Sequence, residues 1–171
     1  YILHEGPLGV FDETLDEQDY SDLKDAPFGG IKIEPTEPGG WIGITDKYWL
    51  AALLPSQQEK FTYSFQSLPG KADRYQVDYI DNSGQILPPG GAISTQGRLF
   101  AGAKKVVLLD HYKDELGIPN FDLAIDFGWF YFLTKPFFYA INWLFQLFGN
   151  FGVATLAFTV VVKLAFFPLA N

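Results

Sequence analysis

Residues 61–67 read Phe61-Thr62-Tyr63-Ser64-Phe65-Gln66-Ser67, an alternation of aromatic and polar side chains. Successive side chains of a β-strand point to opposite faces, so this period of two places Phe61, Tyr63 and Phe65 on one face. A strand with one buried and one solvated face is typical of an antiparallel sheet. The stretch therefore predicts a strand of an antiparallel sheet with its three aromatic rings in the core.

Similar short segments lie on both sides of this strand. Residues 75–79 repeat the alternation, and residues 81–84 (Asp-Asn-Ser-Gly) favour a turn. Further strands are predicted over residues 31–34, 41–44 and 92–100, and residues 48–54 are predicted to form a strand or a buried turn. Short strands at this spacing predict a mainly β fold, with residues 1–102 forming a sandwich or barrel-like pair of antiparallel sheets.

A helix is predicted over residues 104–116. Its apolar residues recur at steps of three and four, at Val106, Leu109, Tyr112 and Leu116. Gly117 stands where a left-handed C-cap is expected, and the nearby Pro119 prevents the helix from continuing.

The acidic residues between Asp12 and Asp25 raise the question of a calcium site. The spacing of an EF-hand loop and its central glycine are both missing from this segment. A solvated loop is the preferred interpretation, and we expect no metal site.

Charge divides the chain into two parts. All 20 acidic residues lie between Glu5 and Asp126, together with 10 of the 12 basic ones, so this part carries about −10. Residues 127–171 contain no acid and only Lys135 and Lys163 as basic residues. A change this sharp indicates two different solvents, and it predicts a boundary between residues 126 and 127.

Composition also narrows the possible functions. The chain has no Cys, and its two histidines, His4 and His111, lie in no cluster with the spacing of metal ligands. No phosphate-binding glycine loop is present. An acidic domain does not suit nucleic acid, whose backbone requires a basic face. We therefore expect no catalytic site and no nucleic-acid partner.

Residues 136–148 predict a short helix, with Thr134 as its cap and Pro136 in its first turn. Its polar residues form a narrow stripe, Lys135, Tyr139, Asn142 and Gln146, among aromatic and aliphatic ones. Such a helix lies in the membrane interface, with its apolar side towards lipid. An ordinary core helix of the soluble domain is the alternative.

Gly149 and Asn150 end that helix, and residues 151–170 are almost entirely apolar and long enough to span a bilayer. Their polar residues are Thr155, Thr159 and Lys163, which are four apart and share one helix face. A cation at the bilayer centre costs about 2.5–3.5 kcal/mol on insertion scales, so this face predicts a bundle interior or a wet cavity. Snorkelling of Lys163 to a nearby headgroup is the alternative.

Together these segments resemble the YidC/Oxa/Alb family of membrane insertases over nearly the whole chain. The apolar run that begins after Gly149 and Asn150 and contains Thr159 and Lys163 resembles the family's first core transmembrane helix. Residues 128–136 resemble the amphipathic region before it. Residues 39–49 and 99–102 resemble motifs of the large periplasmic domain of bacterial members: Gly39-Gly40-Trp41-Ile42-Gly43-Ile44-Thr45-Asp46-Lys47-Tyr48-Trp49 and Leu99-Phe100-Ala101-Gly102.

The resemblance implies a protein without cofactor or covalent chemistry that inserts and helps fold inner-membrane proteins, alone or with the Sec translocon. Residues 1–126 would be the later part of a periplasmic β-supersandwich, residues 127–150 a membrane-surface helix region, and residues 151–171 the first core transmembrane helix, truncated. The expected partners are newly made membrane proteins, Sec components and the phospholipid bilayer. The chain starts at Tyr1, contains no Met and stops inside an apolar run, so we expect a fragment of a longer protein.

The resemblance also suggests where function resides. Thr155, Thr159 and Lys163 would line a polar substrate groove, although the family commonly has Arg at the position of Lys163, so a bidentate contact is not implied. The membrane-interface residues would be Lys135, Phe137, Phe138 and Trp143. A carbohydrate-binding or carbohydrate-modifying periplasmic module is the alternative function, because supersandwich folds also occur in carbohydrate enzymes.

Overall fold

The computed structural model describes residues 4–27, 30–70, 73–84, 86–128 and 130–167. The chain forms two compact units, residues 1–126 (unit 1) and residues 127–171 (unit 2). Unit 1 contains all of the strands that are described, and unit 2 consists of helices.

Unit 1 is built from two antiparallel sheets, as the alternation of its strands predicted. The strands are β1 (Gly6–Phe11), β2 (Thr14–Glu17), β3 (Ile31–Ile33), β4 (Trp41–Thr45), β5 (Trp49–Leu54), β6 (Thr62–Leu68), β7 (Arg74–Ile80) and β8 (Arg98–Ala103). The larger sheet has the order β2-β1-β4-β5-β8, and the smaller one has the order β3-β6-β7. The mainly β, sandwich-like fold class is therefore confirmed.

The predicted face of the central aromatic strand is also confirmed. Phe61, Tyr63 and Phe65 are buried together in one cluster, with Phe11, Leu23 and Ile42. Phe11 lies across the sheets from the strand, with its ring centroid 4.6 Å from that of Tyr63. Because Phe11 and Ile42 belong to the larger sheet and Phe65 to the smaller one, this cluster is the layer between the two sheets.

A second core lies on the other face of the larger sheet, where a helix covers it. The helix is α2 (Val106–Leu116), and Gly117 ends it in the left-handed region with φ of 63°, as predicted. Leu109 is fully buried in this core with Trp41 and Phe121. Phe121 opens a short 3₁₀ helix, Phe121–Ala124, which follows α2.

The acidic segment is more ordered than a solvated loop, so that prediction was wrong. Residues 14–17 form β2, which pairs with β1 through a two-residue turn, and residues 20–25 form the helix α1 (Tyr20–Asp25), which buries Leu23. Both turn residues have positive φ, 48° at Asp12 and 61° at Glu13, as a tight hairpin turn requires. The Asp12 carboxylate stabilises this turn by accepting hydrogen bonds from the backbone N–H groups of Thr36 and Glu37.

The last predicted strand is displaced along the chain. It was expected over residues 92–100, but β8 covers Arg98–Ala103, and residues 92–97 are irregular and exposed. The reason is the length of its partner, since Arg98 pairs with Leu54, the last residue of β5. Pro55 follows there, so residues before Arg98 have no strand beside them to pair with.

Unit 2 contains two helices, α3 (Tyr131–Phe148) and α4 (Phe151–Phe166). The predicted break between them is confirmed, because Gly149 adopts a left-handed C-cap and the Asn150 side chain accepts a hydrogen bond from the N–H of Val153. α3 begins five residues before the predicted Pro136, so Thr134 is not its cap. The Thr134 hydroxyl instead donates to the carbonyl of Phe130, within the first turn.

α3 is longer than the 13-residue helix predicted over residues 136–148. Thirteen residues are too short to cross a bilayer, but 18 residues extend about 27 Å, close to a hydrocarbon thickness of about 30 Å. The predicted spanning segment, residues 151–171, is described only as far as residue 167, and its helix α4 has 16 residues. Among the described residues, no helix combines the length and the apolar character needed to cross a membrane.

Tyr63 provides a test of the layer between the sheets. Its buried hydroxyl donates to the carbonyl of Gly39, which is buried as well, over 2.8 Å. Burial also holds the Tyr63 pKa above its usual range. We expect Tyr63→Phe to lower the free energy of unfolding by about 1–3 kcal/mol, because the carbonyl loses its partner in a dry environment.

The matched control is Tyr79→Phe, in the neighbouring strand. Tyr79 packs against the same cluster but its hydroxyl makes no hydrogen bond within the described residues, so we expect a change within about 0.5 kcal/mol. Urea denaturation of both variants measures the difference. Equal losses for the two substitutions would contradict the role given to the Gly39 hydrogen bond.

Candidate functional site

α4 carries the three residues predicted to line a polar groove. Thr155, Thr159 and Lys163 are all exposed and follow one another at four-residue steps, so they lie along one face of the helix. The neighbouring face contains Ala154, Phe158 and Val162, which are buried or half-buried. Phe158 contacts Phe137 of α3, with ring centroids 5.1 Å apart. The polar face therefore lies beside the packed face and is left uncovered by α3.

The two threonine hydroxyls on this face already have hydrogen-bond partners. Thr155 Oγ1 donates to the carbonyl of Phe151 over 2.9 Å, and Thr159 Oγ1 donates to the carbonyl of Thr155 over 2.8 Å. A threonine bonded in this way can face an apolar environment without leaving a donor unsatisfied. The hydroxyls are consequently less available to a ligand than the sequence alone suggested.

Lys163 is different from the two threonines. Its side chain is exposed, and within the described residues its ammonium group makes no hydrogen bond or ion pair. Residues 127–171 contain no Asp or Glu that could neutralise it. Of the three predicted groove residues, Lys163 is therefore the one whose polar group is most available to bind a ligand.

The predicted interface residues on α3 do not share one environment. Phe137 packs against α4, Phe138 is half-buried, and Trp143 is exposed. Lys135 is half-buried, and its Nζ donates to the hydroxyl of Tyr131 over 3.0 Å. The Lys135 charge is thus directed along the helix towards its N-terminal turn, while Trp143 extends from its second half.

Apolar exposure is the dominant property of unit 2. Ala154 is the only buried residue among those described in its two helices. Exposed large apolar side chains occur along both helices: Phe132, Leu133, Trp143, Leu147, Phe151, Leu156, Val160, Val161, Leu164 and Phe166. Water does not tolerate so continuous an apolar surface, whereas a lipid or protein environment does.

Unit 1 contains a cleft with several acidic residues, which bears on the carbohydrate alternative. The cleft has a volume of about 420 Å³ and is lined by Asp12, Glu13, Glu37, Pro38, Gly39, Gly40 and Pro119. The Asp12 carboxylate is engaged by two backbone N–H groups, which lower its pKa. That carboxylate therefore stabilises the loop and is a poor proton donor.

The histidines do not form a metal or catalytic centre in the described part of the chain. His111 lies 2.9 Å from Glu115 on the exposed side of α2, while His4 approaches the carbonyl of Pro7 in the first strand. No group of three or more histidine or carboxylate side chains within the described residues could hold a metal ion.

A family model described as the YidC periplasmic domain matches residues 1–140. The chain is also similar to proteins named membrane protein insertase YidC. Identity is 50% for the protein of Granulibacter bethesdensis, 49% for that of Rickettsia bellii and 48% for that of Rickettsia typhi. Each alignment covers 99% of this chain and 30% of the relative, so the chain spans about a third of the length of these relatives.

Proposed function

The chain belongs to the YidC family, and from this premise we propose that it takes part in inserting and folding membrane proteins at the bacterial inner membrane. Unit 1 would lie in the periplasm and unit 2 against the bilayer. The chain covers only 30% of the length of the relatives that carry the insertase name, so insertase activity is a proposal for this chain.

The apolar surface of unit 2 is the observation that carries this proposal. Its helices leave Trp143, Leu147, Leu156 and Leu164 exposed, and residues 127–171 carry no acid. Acyl chains would cover this surface at no hydrophobic cost. We propose that α3 lies in the interface and that the segment from Phe151 onwards, predicted as a spanning helix over residues 151–171, enters the hydrocarbon region.

The interface residues fit a helix that lies near the headgroups. Trp143 has the amphipathic ring that is enriched at membrane–water boundaries, and Lys135 lies near the N-terminal end of the helix. Phe137 would act indirectly, by fixing α3 against α4, and Phe138 would face the acyl region beside it. This division of roles follows from the Phe137–Phe158 contact.

Lys163 would supply the substrate-facing charge of the groove. The threonine hydroxyls bond to their own helix, so the polar face offers a single strong electrostatic group. An acidic tail of a protein being inserted would be attracted to this cation, whose effect is large in a medium of low polarity. Newly made membrane proteins are the substrates implied, and Sec translocon components are further proposed partners.

The carbohydrate alternative receives less support. The acidic cleft uses its Asp12 carboxylate to hold a backbone turn, and the relatives quoted are all named insertases. None of the three is named for an activity on sugars.

The orientation of α3 can be tested by spin labelling, which the absence of cysteine makes simple. Single cysteines introduced along residues 131–148 in the chain bound to lipid vesicles should show shallow lipid accessibility with a helical period. We expect labels at 143 and 147 to collide more with oxygen, and labels at 142 and 146 more with a water-soluble nickel chelate. Uniformly deep burial along the helix would rule out the interfacial orientation.

The role of Lys163 can be tested by an insertion assay in cells depleted of their own insertase, with the full-length protein. We expect Lys163→Ala to weaken insertion, most for substrates with acidic translocated tails, and Lys163→Arg to retain it, because charge rather than side-chain geometry is required. A hydrogen bond to a charged group is worth about 1.5–3 kcal/mol, so loss of the cation is expected to reduce insertion by about tenfold or more.

Leu164→Ala serves as the matched control for this assay, because Leu164 is the next residue of the same helix and is exposed as well. Its substitution should leave insertion near the parental level. If Lys163 only snorkels to a headgroup, Lys163→Ala will match the parent at equal protein level, and the groove-charge proposal fails.

A further inference from the structure

The turn between β4 and β5 presents two exposed aromatic side chains at one end of unit 1. We call residues 46–49 the hairpin tip. Tyr48 is 65% exposed and Trp49 is 61% exposed, although both rings are large and apolar. The Asp46 carboxylate accepts a hydrogen bond from the N–H of Lys47 over 2.7 Å, and the N–H of Asp46 donates to the carbonyl of Trp49. The tip is therefore a defined turn with its aromatic side chains directed outwards.

The hairpin tip lies at the point where the chain leaves unit 1. Lys47 and Tyr48 line a small cleft of about 210 Å³ with Lys104, Ile125 and Asp126. Asp126 is the last residue of unit 1, and α3 starts at Tyr131. The hairpin tip therefore lies beside the last residues of unit 1, from which the chain continues into the acid-free segment.

The side chains at the tip suit the headgroup layer of a phospholipid bilayer. Tyrosine and tryptophan are enriched at that depth, where their rings meet acyl carbons and their polar atoms meet water. Lys47 Nζ lies 5.4 Å from the Tyr48 ring centroid, and Lys104 borders the same cleft. Ammonium groups beside aromatic rings are suited to lipid phosphates, and long lysine side chains extend towards them from apolar surroundings.

Acidic groups limit the contribution of charge. Asp46 in the tip and Asp126 beside it carry negative charges that offset the positive charges of Lys47 and Lys104. The tip therefore has no net positive charge. Non-specific attraction to an anionic surface would not be enough to hold it at a membrane. The two aromatic rings are the groups that remain to be buried.

We propose that the hairpin tip rests in the phospholipid headgroup layer, with Tyr48 and Trp49 as its anchors. This inference rests on the proposed function, because it requires unit 2 to lie against the bilayer. It goes beyond that proposal by giving the β domain its own lipid contact. Such a contact would hold unit 1 at a fixed height above the membrane.

The test uses the full chain with single cysteines for a spin label, since the parent has none. The variants are Tyr48→Cys at the tip, Leu147→Cys in α3 and Ile80→Cys as the matched control. Ile80 is 55% exposed and ends β7, where the neighbouring Tyr79 hydroxyl lies beside Gly97. Gly97 precedes Arg98, which pairs with Leu54 at the far end of β5. The six residues of β5 separate that end from the tip by about 17–20 Å.

Collisions with a water-soluble nickel chelate and with oxygen are both measured on vesicles of phosphatidylethanolamine and phosphatidylglycerol, and oxygen serves as the reference for the local exposure of each label. A loss is a reduction of nickel-chelate collisions relative to those with oxygen, and we expect a loss at 147 and at 48 but not at 80. A loss at 147 with no loss at 48 would overturn the tip contact and leave the proposed function standing.

The remaining outcomes are also decisive. A loss at all three positions would mean that unit 1 is covered on both ends, which would overturn a specific contact at the tip. No loss at 147 would contradict the proposed membrane position of unit 2, and the tip contact would fall with it.

Discussion

The packing of Trp41 is the interaction on which the rest of unit 1 depends. Trp41 stands in β4, the central strand of the larger sheet, and is fully buried. Its ring meets that of Phe121 edge to face at 5.2 Å, and its Nε1 donates to the carbonyl of Pro119 over 3.1 Å. One side chain thus joins the middle of the sheet to the segment that follows α2. Because that segment leads directly to Asp126, the same contact fixes where the chain leaves the domain.

The two units differ in how far they bury their apolar side chains. Unit 1 closes two cores, one between its sheets and one beneath α2, and links α2 to the 3₁₀ helix through the Lys113–Asp122 ion pair at 3.0 Å. Unit 2 pairs two helices through contacts that include the ring pairs Phe137–Phe158 and Phe145–Phe151, and it leaves many of its large apolar side chains exposed. The abrupt loss of acidic residues after Asp126 coincides with this difference in apolar exposure.

The polar face of α4 shows how local hydrogen bonding decides what a residue can contribute. Thr155 and Thr159 stand on the same face as Lys163, yet each hydroxyl bonds to a carbonyl four residues earlier. The helix can therefore carry these hydroxyls into an apolar medium at small cost. Within the described residues the ammonium of Lys163 makes no such hydrogen bond, so Lys163 is the strongest electrostatic group on this face.

The sequence by itself determined the features that depend on local patterns. Alternation placed Phe61, Tyr63 and Phe65 in one core, Gly117 and Gly149 marked helix ends, and the charge distribution separated residues 1–126 from the rest. These features depend on local properties of the chain: the period of a strand, the freedom of glycine at positive φ and the distribution of charge along the sequence. The family resemblance predicted that the β-rich part is a YidC periplasmic domain, and the match to that family model confirmed the prediction.

Only the tertiary structure decided the features that depend on a distant partner. β8 starts at Arg98 because its partner β5 ends at Leu54, and the acidic residues after Phe11 form a hairpin because β1 offers an edge to β2. The turn at Asp12 and Glu13 lacks the usual Asn-Gly pair, and it is held by the N–H groups of Thr36 and Glu37, more than 20 residues away. The hairpin tip lies beside the last residues of unit 1, and this position also depends on pairing between remote segments. Strand pairing and side-chain bonds between remote segments are not encoded in any local period, so the folded chain alone reveals them.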